Sequence, residues 1–273
     1  MKSLIVNESK CTKCGLCAEV CPSKILCFGE SGFPEMAKGC SESCIECGQC
    51  VVFCPASANS LSFMDADKLI RAADLSMPEP EAALNLLKTR RSIRKFQNKT
   101  VSSDVLEKIF GAVRMAPTAC NDQTVRWIVS GSPENTKEIV DIMHKWLREE
   151  IFKDPMSELG RFGAAILARA RAGDDILLRG APHVAVAVVP KNYKWPEDGS
   201  IALTYFELAA HALGVGACWA GFLTMAVRSY EELRKYLGIS EDEYMCGGQM
   251  FGYPALKPTR QFPPRRKMDI VKL

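Results

Sequence analysis

No arginine occurs in the first 70 residues of this 273-residue chain, although 16 follow from Arg71 onward. No apolar run approaches the ~20 residues that a membrane-spanning helix needs, so no membrane association is expected. Charge of one sign is also missing: 35 Lys and Arg against 32 Asp and Glu leave a net +3, and no nucleic-acid or other polyelectrolyte partner is implied. Residues 2–10 lead straight into cysteines, which leaves no room for a charged, apolar and cleavable leader. There is no G-x-G-x-x-G dinucleotide fingerprint. Histidine is scarce, with His144, His183 and His211 the whole supply, and each reads as a structural residue rather than a general acid.

Cysteine is abundant and ordered. Eight of the 13 cysteines form two copies of C-x-x-C-x-x-C-x-x-x-C-P: Cys11, Cys14, Cys17 and Cys21 before Pro22, then Cys44, Cys47, Cys50 and Cys54 before Pro55. Two-residue gaps let neighbouring thiolates converge on one centre. The fourth, displaced by three residues and followed by a proline, points toward the other centre. This is the run of bacterial two-cluster ferredoxins, so Cys11, Cys14, Cys17 and Cys54 are assigned to one [4Fe-4S] cluster, and Cys21, Cys44, Cys47 and Cys50 to the other. Zinc knuckles or a disulfide framework are the alternatives, and neither requires eight cysteines in this doubled order. Cys27 and Cys40 lie between the motifs as substitute ligands should the register differ, whereas Cys120, Cys218 and Cys246 read as small buried hydrophobes. So many regularly spaced thiols fit a reducing compartment, and a cytoplasmic location is expected.

The cysteine-rich part reads as a domain over residues 1–64, with short strands near Leu4–Asn7 and Ser60–Phe63. A linker follows over 65–82, closing on Pro78-Glu79-Pro80, and a second domain fills 83–273. In that domain the periodicity gives helices at Glu81–Thr89, Val105–Arg114, Pro133–Glu149, 157–179, Ser200–Leu213 and Ser229–Leu237. Strands are expected at Val125–Ser130, Val184–Val189, Ala217–Trp219 and Met245–Phe251. The order has no regular βαβ repeat, so the fold class is α+β.

Four cations and a hydroxyl stand within Arg90-Arg91-Ser92-Ile93-Arg94-Lys95, a set whose forked donors suit phosphate oxygens. Three further blocks follow in order: Ala116-Pro117-Thr118-Ala119-Cys120-Asn121-Asp122-Gln123, then Gly214 to Phe222, then Gly252-Tyr253-Pro254-Ala255 ahead of Arg260, Arg265 and Arg266. Together they make residues 83–273 resemble the nitroreductase family of FMN enzymes, and the whole chain resembles its ferredoxin-fused branch. The resemblance implies a nitroreductase-like FMN-binding α+β domain behind a small ferredoxin-like domain. It implies that Arg90, Arg91, Ser92 and Arg94 bind the FMN phosphate and ribitol, with Arg260, Arg265 or Arg266 reaching the phosphate. It further implies that Asn121 and Gln123 hydrogen-bond the flavin ring, that backbone amides at Trp219, Ala220 and Gly221 face its N5 and O4 edge, and that the protein is a homodimer. The family usually continues with Pro-Trp after the Asn-x-Gln positions, whereas Thr124 and Val125 stand here, so the surroundings of the ring differ.

Two one-electron clusters feeding a flavin suggest an oxidoreductase with FMN and two [4Fe-4S] clusters, in which no side chain need be a catalytic acid. An external donor (ferredoxin, flavodoxin or NAD(P)H) would load it, and a nitroaromatic, quinone or similar conjugated acceptor would unload it. A non-catalytic electron carrier or redox sensor, and a flavin dehydrogenase exporting electrons to ferredoxin, are the alternatives.

Overall fold

A computed structural model describes residues 2–260 and 266–272. It divides into two compact units, Met1–Pro78 with Thr118–Gln123, and Glu79–Pro117 with Thr124–Leu273. The linker expected over 65–82 is therefore no separate element. Residues 65–78 belong to the first unit, where they form 3-10 turns at Ala66–Lys68 and Ala72–Asp74. No described helix is long and apolar enough to cross a membrane.

The first unit repeats itself in backbone as in sequence. Strands β1 (Leu4–Val6), β2 (Leu26–Phe28), β3 (Pro34–Met36) and β4 (Asn59–Leu61) form two antiparallel pairs, β1 with β4 and β2 with β3. The short helices α1 (Leu16–Glu19) and α2 (Gln49–Val52) start at equivalent points of the two cysteine motifs. Each copy bends through positive φ at the same places: Lys13 and Glu46 (both 57°), Gly15 and Gly48 (83° and 71°), Lys24 and Ser57 (51° and 48°). Left-handed backbone at a non-glycine residue costs about 1 kcal/mol, so its recurrence marks a chain shaped to turn thiols inward. Apolar burial alone is thin here. One of the unit's clusters consists of Cys17, Cys21, Ile25 and Leu26, so half of that small core is itself cysteine.

The second unit carries a conventional core. Helices α3 (Pro80–Thr89) and α4 (Ser103–Val113) lead to strand β5 (Arg126–Val129), helices α5 (Pro133–Lys153) and α6 (Glu158–Arg171), and strand β6 (His183–Pro190). Helix α7 (Glu197–Ala212), strand β7 (Gly216–Trp219), helices α8 (Gly221–Ser229) and α9 (Glu231–Tyr236), and strand β8 (Glu243–Gly252) complete it. The sheet order is β5-β6-β8-β7 with every pair antiparallel, in keeping with α+β. Along β6, Val184, Val186 and Val188 face a layer built from α5, α6, α8 and α9, while Ala185 faces α4 and α7. Helices on both faces explain why β6 is apolar without alternation.

Two elements depart from the sequence reading. The helix expected over 157–179 stops at Arg171. Beyond it the Asp175 carboxylate accepts the backbone N–H groups of Leu177, Leu178 and Gly180, competing with helical bonds. The helix expected at Ser229–Leu237 is α9, which begins only at Glu231 because Tyr230 is extended, and α8 before it was not foreseen from sequence.

Candidate functional site

The eight motif cysteines separate into two cavities. Cys11, Cys14, Cys17 and Cys54 line one, and Cys21, Cys44, Cys47 and Cys50 line the other. Among the described residues no three His, Cys, Asp or Glu side chains close on a single ion. Four thiols around each hollow, none of them closing on a single ion, suit a group of several atoms with thiolates at its corners, as in a four-iron cubane, better than one tetrahedral zinc. Cys27 and Cys40 line neither cavity, and their Sγ atoms lie 3.8 Å from the Glu35 carbonyl and 3.9 Å from the Lys38 carbonyl.

The surroundings tune individual thiols. Burial pushes the Cys50 thiol up to about 11, with Cys47, Cys21 and Cys44, its three neighbours around the cavity, adding to the rise. Burial likewise raises Cys17, whereas exposed Cys14 is lowered by hydrogen bonds from the Leu16 backbone and the Thr12 side chain. The Ala58 N–H donates to Cys54 Sγ at 3.2 Å. Sequence reasoning missed two supports. Lys2 Nζ donates to the Cys44 carbonyl at 2.8 Å, and the buried Asn59 amide donates to the Cys50 carbonyl at 3.0 Å. Asn59 stands among small residues with no pattern to flag it, and its Oδ1 is buried without a hydrogen-bond partner.

In the second unit the arginine-rich segment lies as an extended edge on the sheet. Ser92 bridges Ala217 of β7 in parallel fashion, and the Ile93 N–H donates to the Ala217 carbonyl at 2.9 Å. Farther along, the Ala255 N–H donates to the Lys95 carbonyl at 2.9 Å, and the Gln97 N–H to the Tyr253 carbonyl at 2.8 Å. Ile93 occupies the space above Gly216, where an added Cβ would stand 2.5 Å from Ile93 Cγ1. Glycine at 216 is therefore what lets the segment reach the strand. Two residues beyond Ala217 comes Trp219, 44% exposed, and then the start of α8.

The site residues named from sequence fare differently within this frame. Arg91 and Ser92 are half-buried and Arg94 is exposed. Arg90 Nη1 is bound to Glu207 Oε1 of α7 at 2.7 Å, so part of its guanidinium is committed to a carboxylate that sequence reasoning did not foresee. Among the expected amides, that of Ala220 is corrected: it donates to the Gly248 carbonyl at 2.8 Å as the sheet ladder ends. Gly221, in the first turn of α8, has no carbonyl four residues back within the helix to satisfy its N–H. A Cβ at Gly221 would meet nothing within 4 Å, so the start of α8 is open on that side. Asn121 and Gln123 belong to the first unit, in the segment Thr118–Gln123. Cys120 of that segment is exposed, contrary to the buried hydrophobe expected, because the 3-10 turn Ala119–Asn121 places it at φ 51°. Arg260 and Arg266 are exposed. Arg265 lies outside the described residues.

Two of the three histidines are held by hydrogen bonds, whereas the buried His144 Nε2 has no hydrogen-bond partner. His183 is buried and stacked on Phe251 at 5.2 Å; its Nε2 accepts the Val101 N–H at 3.1 Å and its Nδ1 lies 3.2 Å from the Ser130 carbonyl. That pairing selects the tautomer protonated at Nδ1. His211 meets Thr89 Oγ1 at 3.0 Å. Burial is the leading cause that lowers all three imidazoles below the ordinary histidine range.

Comparison with known proteins bears on both units. Residues 87–253 match the nitroreductase family, and residues 4–26 and 41–57 match two descriptions of a 4Fe-4S binding domain. A protein of Methanothermobacter thermautotrophicus named for NADH dehydrogenase or NAD(P)H nitroreductase activity is 30% identical over 190 residues, covering 67% of this chain and 84% of its own. One of the same name from Archaeoglobus fulgidus is 30% identical over 179 residues, covering 64% of this chain and 86% of its own. Among solved structures, an FMN-bound nitroreductase from Desulfitobacterium hafniense superposes with TM-score 0.57 at 24% identity, covering 72% of this chain and all of its own. Another from Bacteroides fragilis gives TM-score 0.56 at 21% identity, covering 69% and 98%. At such identities these two structures establish the fold. The family match spans more than half of the chain, and the chain therefore belongs to the nitroreductase family of oxidoreductases, with 4Fe-4S binding domains at its N-terminal end.

Proposed function

We propose that this protein passes electrons between two [4Fe-4S] clusters and an FMN, and that it reduces nitroaromatic, quinone or similar conjugated acceptors. The observation that carries the reading is the pairing of two four-thiol cavities with a nitroreductase domain in one chain. Bound FMN would supply the means to combine single electrons into a pair for an organic acceptor. The remaining work falls to side chains. Arg90, Arg91, Ser92 and Arg94 would hold the phosphate and ribitol, with part of the Arg90 charge taken up by Glu207, and with Arg260, Arg265 or Arg266 adding charge from the C-terminal side. The Gly221 amide would donate to the ring edge at the start of α8, where the helix dipole favours negative charge. Asn121 and Gln123 would offer amides to the ring. Solvent would deliver the protons.

A homodimer fits the exposed apolar residues Leu84 and Leu87 of α3 and Ile201 and Tyr205 of α7, which a second copy would cover. The electron donor is taken to be a ferredoxin, a flavodoxin or NAD(P)H, and the setting cytoplasmic. The test is an iron, sulfide and FMN determination on anaerobically purified protein, followed by mixing of the reduced protein with nitroaromatic and quinone acceptors. Eight iron atoms per FMN and reoxidation at rates that saturate with acceptor are expected. Zinc, absent flavin, or no reoxidation by any acceptor would overturn the reading.

A further inference from the structure

Resting on that reading, we infer that Asn59 makes the cluster held by Cys11, Cys14, Cys17 and Cys54 the higher in reduction potential of the two, so that it keeps the first electron to arrive. All the residues concerned lie in the first unit, whose two halves repeat. The offset that carries Cys21 to Cys54, and the left-handed turn at Lys24 to that at Ser57, also carries Leu26 to Asn59. Leu26 opens β2 and Asn59 opens β4, and each lines the hollow that holds the last cysteine of its own motif, Cys21 for Leu26 and Cys54 for Asn59. The matching positions differ in kind: Leu26 brings an apolar side chain to one hollow, and Asn59, 2% exposed, brings an amide to the other.

One N–H of the Asn59 amide goes to the Cys50 carbonyl at 3.0 Å. The side chain also hydrogen-bonds Cys17, one of the four thiols around the hollow that Asn59 lines. Its Oδ1 is buried without a partner. An unpaired buried acceptor destabilises the fold, and an apolar residue such as Leu26 of the other half avoids that cost. What the amide contributes lies with the cluster. A cubane that takes one electron gains a unit of negative charge with no bond made or broken, and an N–H donated to a ligand sulfur favours that reduced state.

Other surroundings act in the same direction or cancel. Cys14 is exposed, whereas Cys21, Cys44, Cys47 and Cys50 are buried or half-buried, so water also eases the added charge on the Asn59 side. On the other side Lys2 reaches the Cys44 carbonyl, but it is paired with Glu46 at 2.9 Å, which offsets its charge. An electron from a one-electron donor of the ferredoxin or flavodoxin class therefore settles at the Cys11, Cys14, Cys17 and Cys54 set before the other set fills.

The test is an EPR-monitored redox titration of the full, anaerobically purified chain with dithionite as reductant. Two cluster waves are expected, and Cys11→Ser and Cys47→Ser each displace or remove one of them, which identifies it. In the wild type the wave of the Cys11 set must lie higher. Asn59→Leu copies the other half of the unit. It is expected to lower that wave by about 28–59 mV, a three- to tenfold change in a one-electron equilibrium and the worth of one hydrogen bond, while moving the other less than half as far. A lower wave for the Cys11 set in the wild type, equal movement of both waves, or movement of neither overturns the inference. Should Asn59→Leu not assemble its clusters, Asn59→Asp keeps the shape without the N–H donors and must lower the same wave at least as far; an unmoved wave refutes the inference. Iron and sulfide too scarce for two cubanes would overturn the functional reading itself, a result distinct from two intact clusters in the wrong order.

Discussion

Replacing Gly216 by alanine tests whether the arginine-rich segment is seated as described. The new Cβ would lie 2.5 Å from Ile93 Cγ1, 2.8 Å from its Cβ and 3.0 Å from its Cγ2. Those approaches are well inside the roughly 3.5–4.0 Å of a comfortable carbon contact. Ile93 belongs to an edge tied down by its own N–H to Ala217 and by Lys95 and Gln97 farther along, so it cannot swing away without breaking bonds. Overpacking of this kind costs about 1–3 kcal/mol, and in a unit of this size that lowers the melting temperature by roughly 2–12 °C. Arg91, Ser92 and Arg94 flank Ile93 and would move with it, so FMN affinity should fall alongside stability. Thermal melting and FMN titration of Gly216→Ala check both. Ile93→Ala in the same background removes the Cγ atoms but keeps a Cβ, so it should restore only part of the loss. A Gly216→Ala protein that melts and binds FMN like the wild type would refute the reasoning.

Acid should destabilise the second unit through its histidines. Each has a folded-state value below its unfolded value of about 6.5, so the stabilisation is complete above that pH and is lost as the pH falls toward the folded value. Urea midpoints should drop between pH 7.5 and 5.5, and His183→Gln should flatten the dependence; an unchanged slope rejects His183 as a contributor. Reconstitution of iron and sulfide should quicken from pH 7 to 8.5, because the Cys50 thiol, raised to about 11, must lose its proton before it can bind iron. A rate independent of pH would remove Cys50 from the limiting step. Cys50→Ser should abolish one cluster's EPR signal while Cys27→Ser keeps both, and the reverse result would exchange their roles. Glu207→Gln leaves Arg90 without its 2.7 Å carboxylate partner, and FMN should bind about two- to fivefold tighter as more positive charge becomes available to the phosphate. Weaker binding would mean that Glu207 acts by orienting Arg90.

The eight motif cysteines, the α+β class and most strands and helices of the second domain could be read from the chain alone, because spacing and apolar periodicity are local properties. The run Val184–Val189 announces a buried strand by composition, and Ile139, Ile142, Met143 and Trp146 announce the inner face of α5, since each pattern has the period of its own element. Tertiary structure decided what depends on partners far away in sequence. Only folding brings Glu207 to Arg90, commits the Ala220 amide to Gly248 and sets Ile93 over Gly216. Only folding, too, carries Thr118–Gln123 into the unit of the cysteine motifs, where Asn121 bonds Ile45 across 76 positions of chain. Periodicity records which side of an element is apolar, but a hydrogen bond between distant residues leaves no repeat in either of them, so no pattern along the chain could have foretold it.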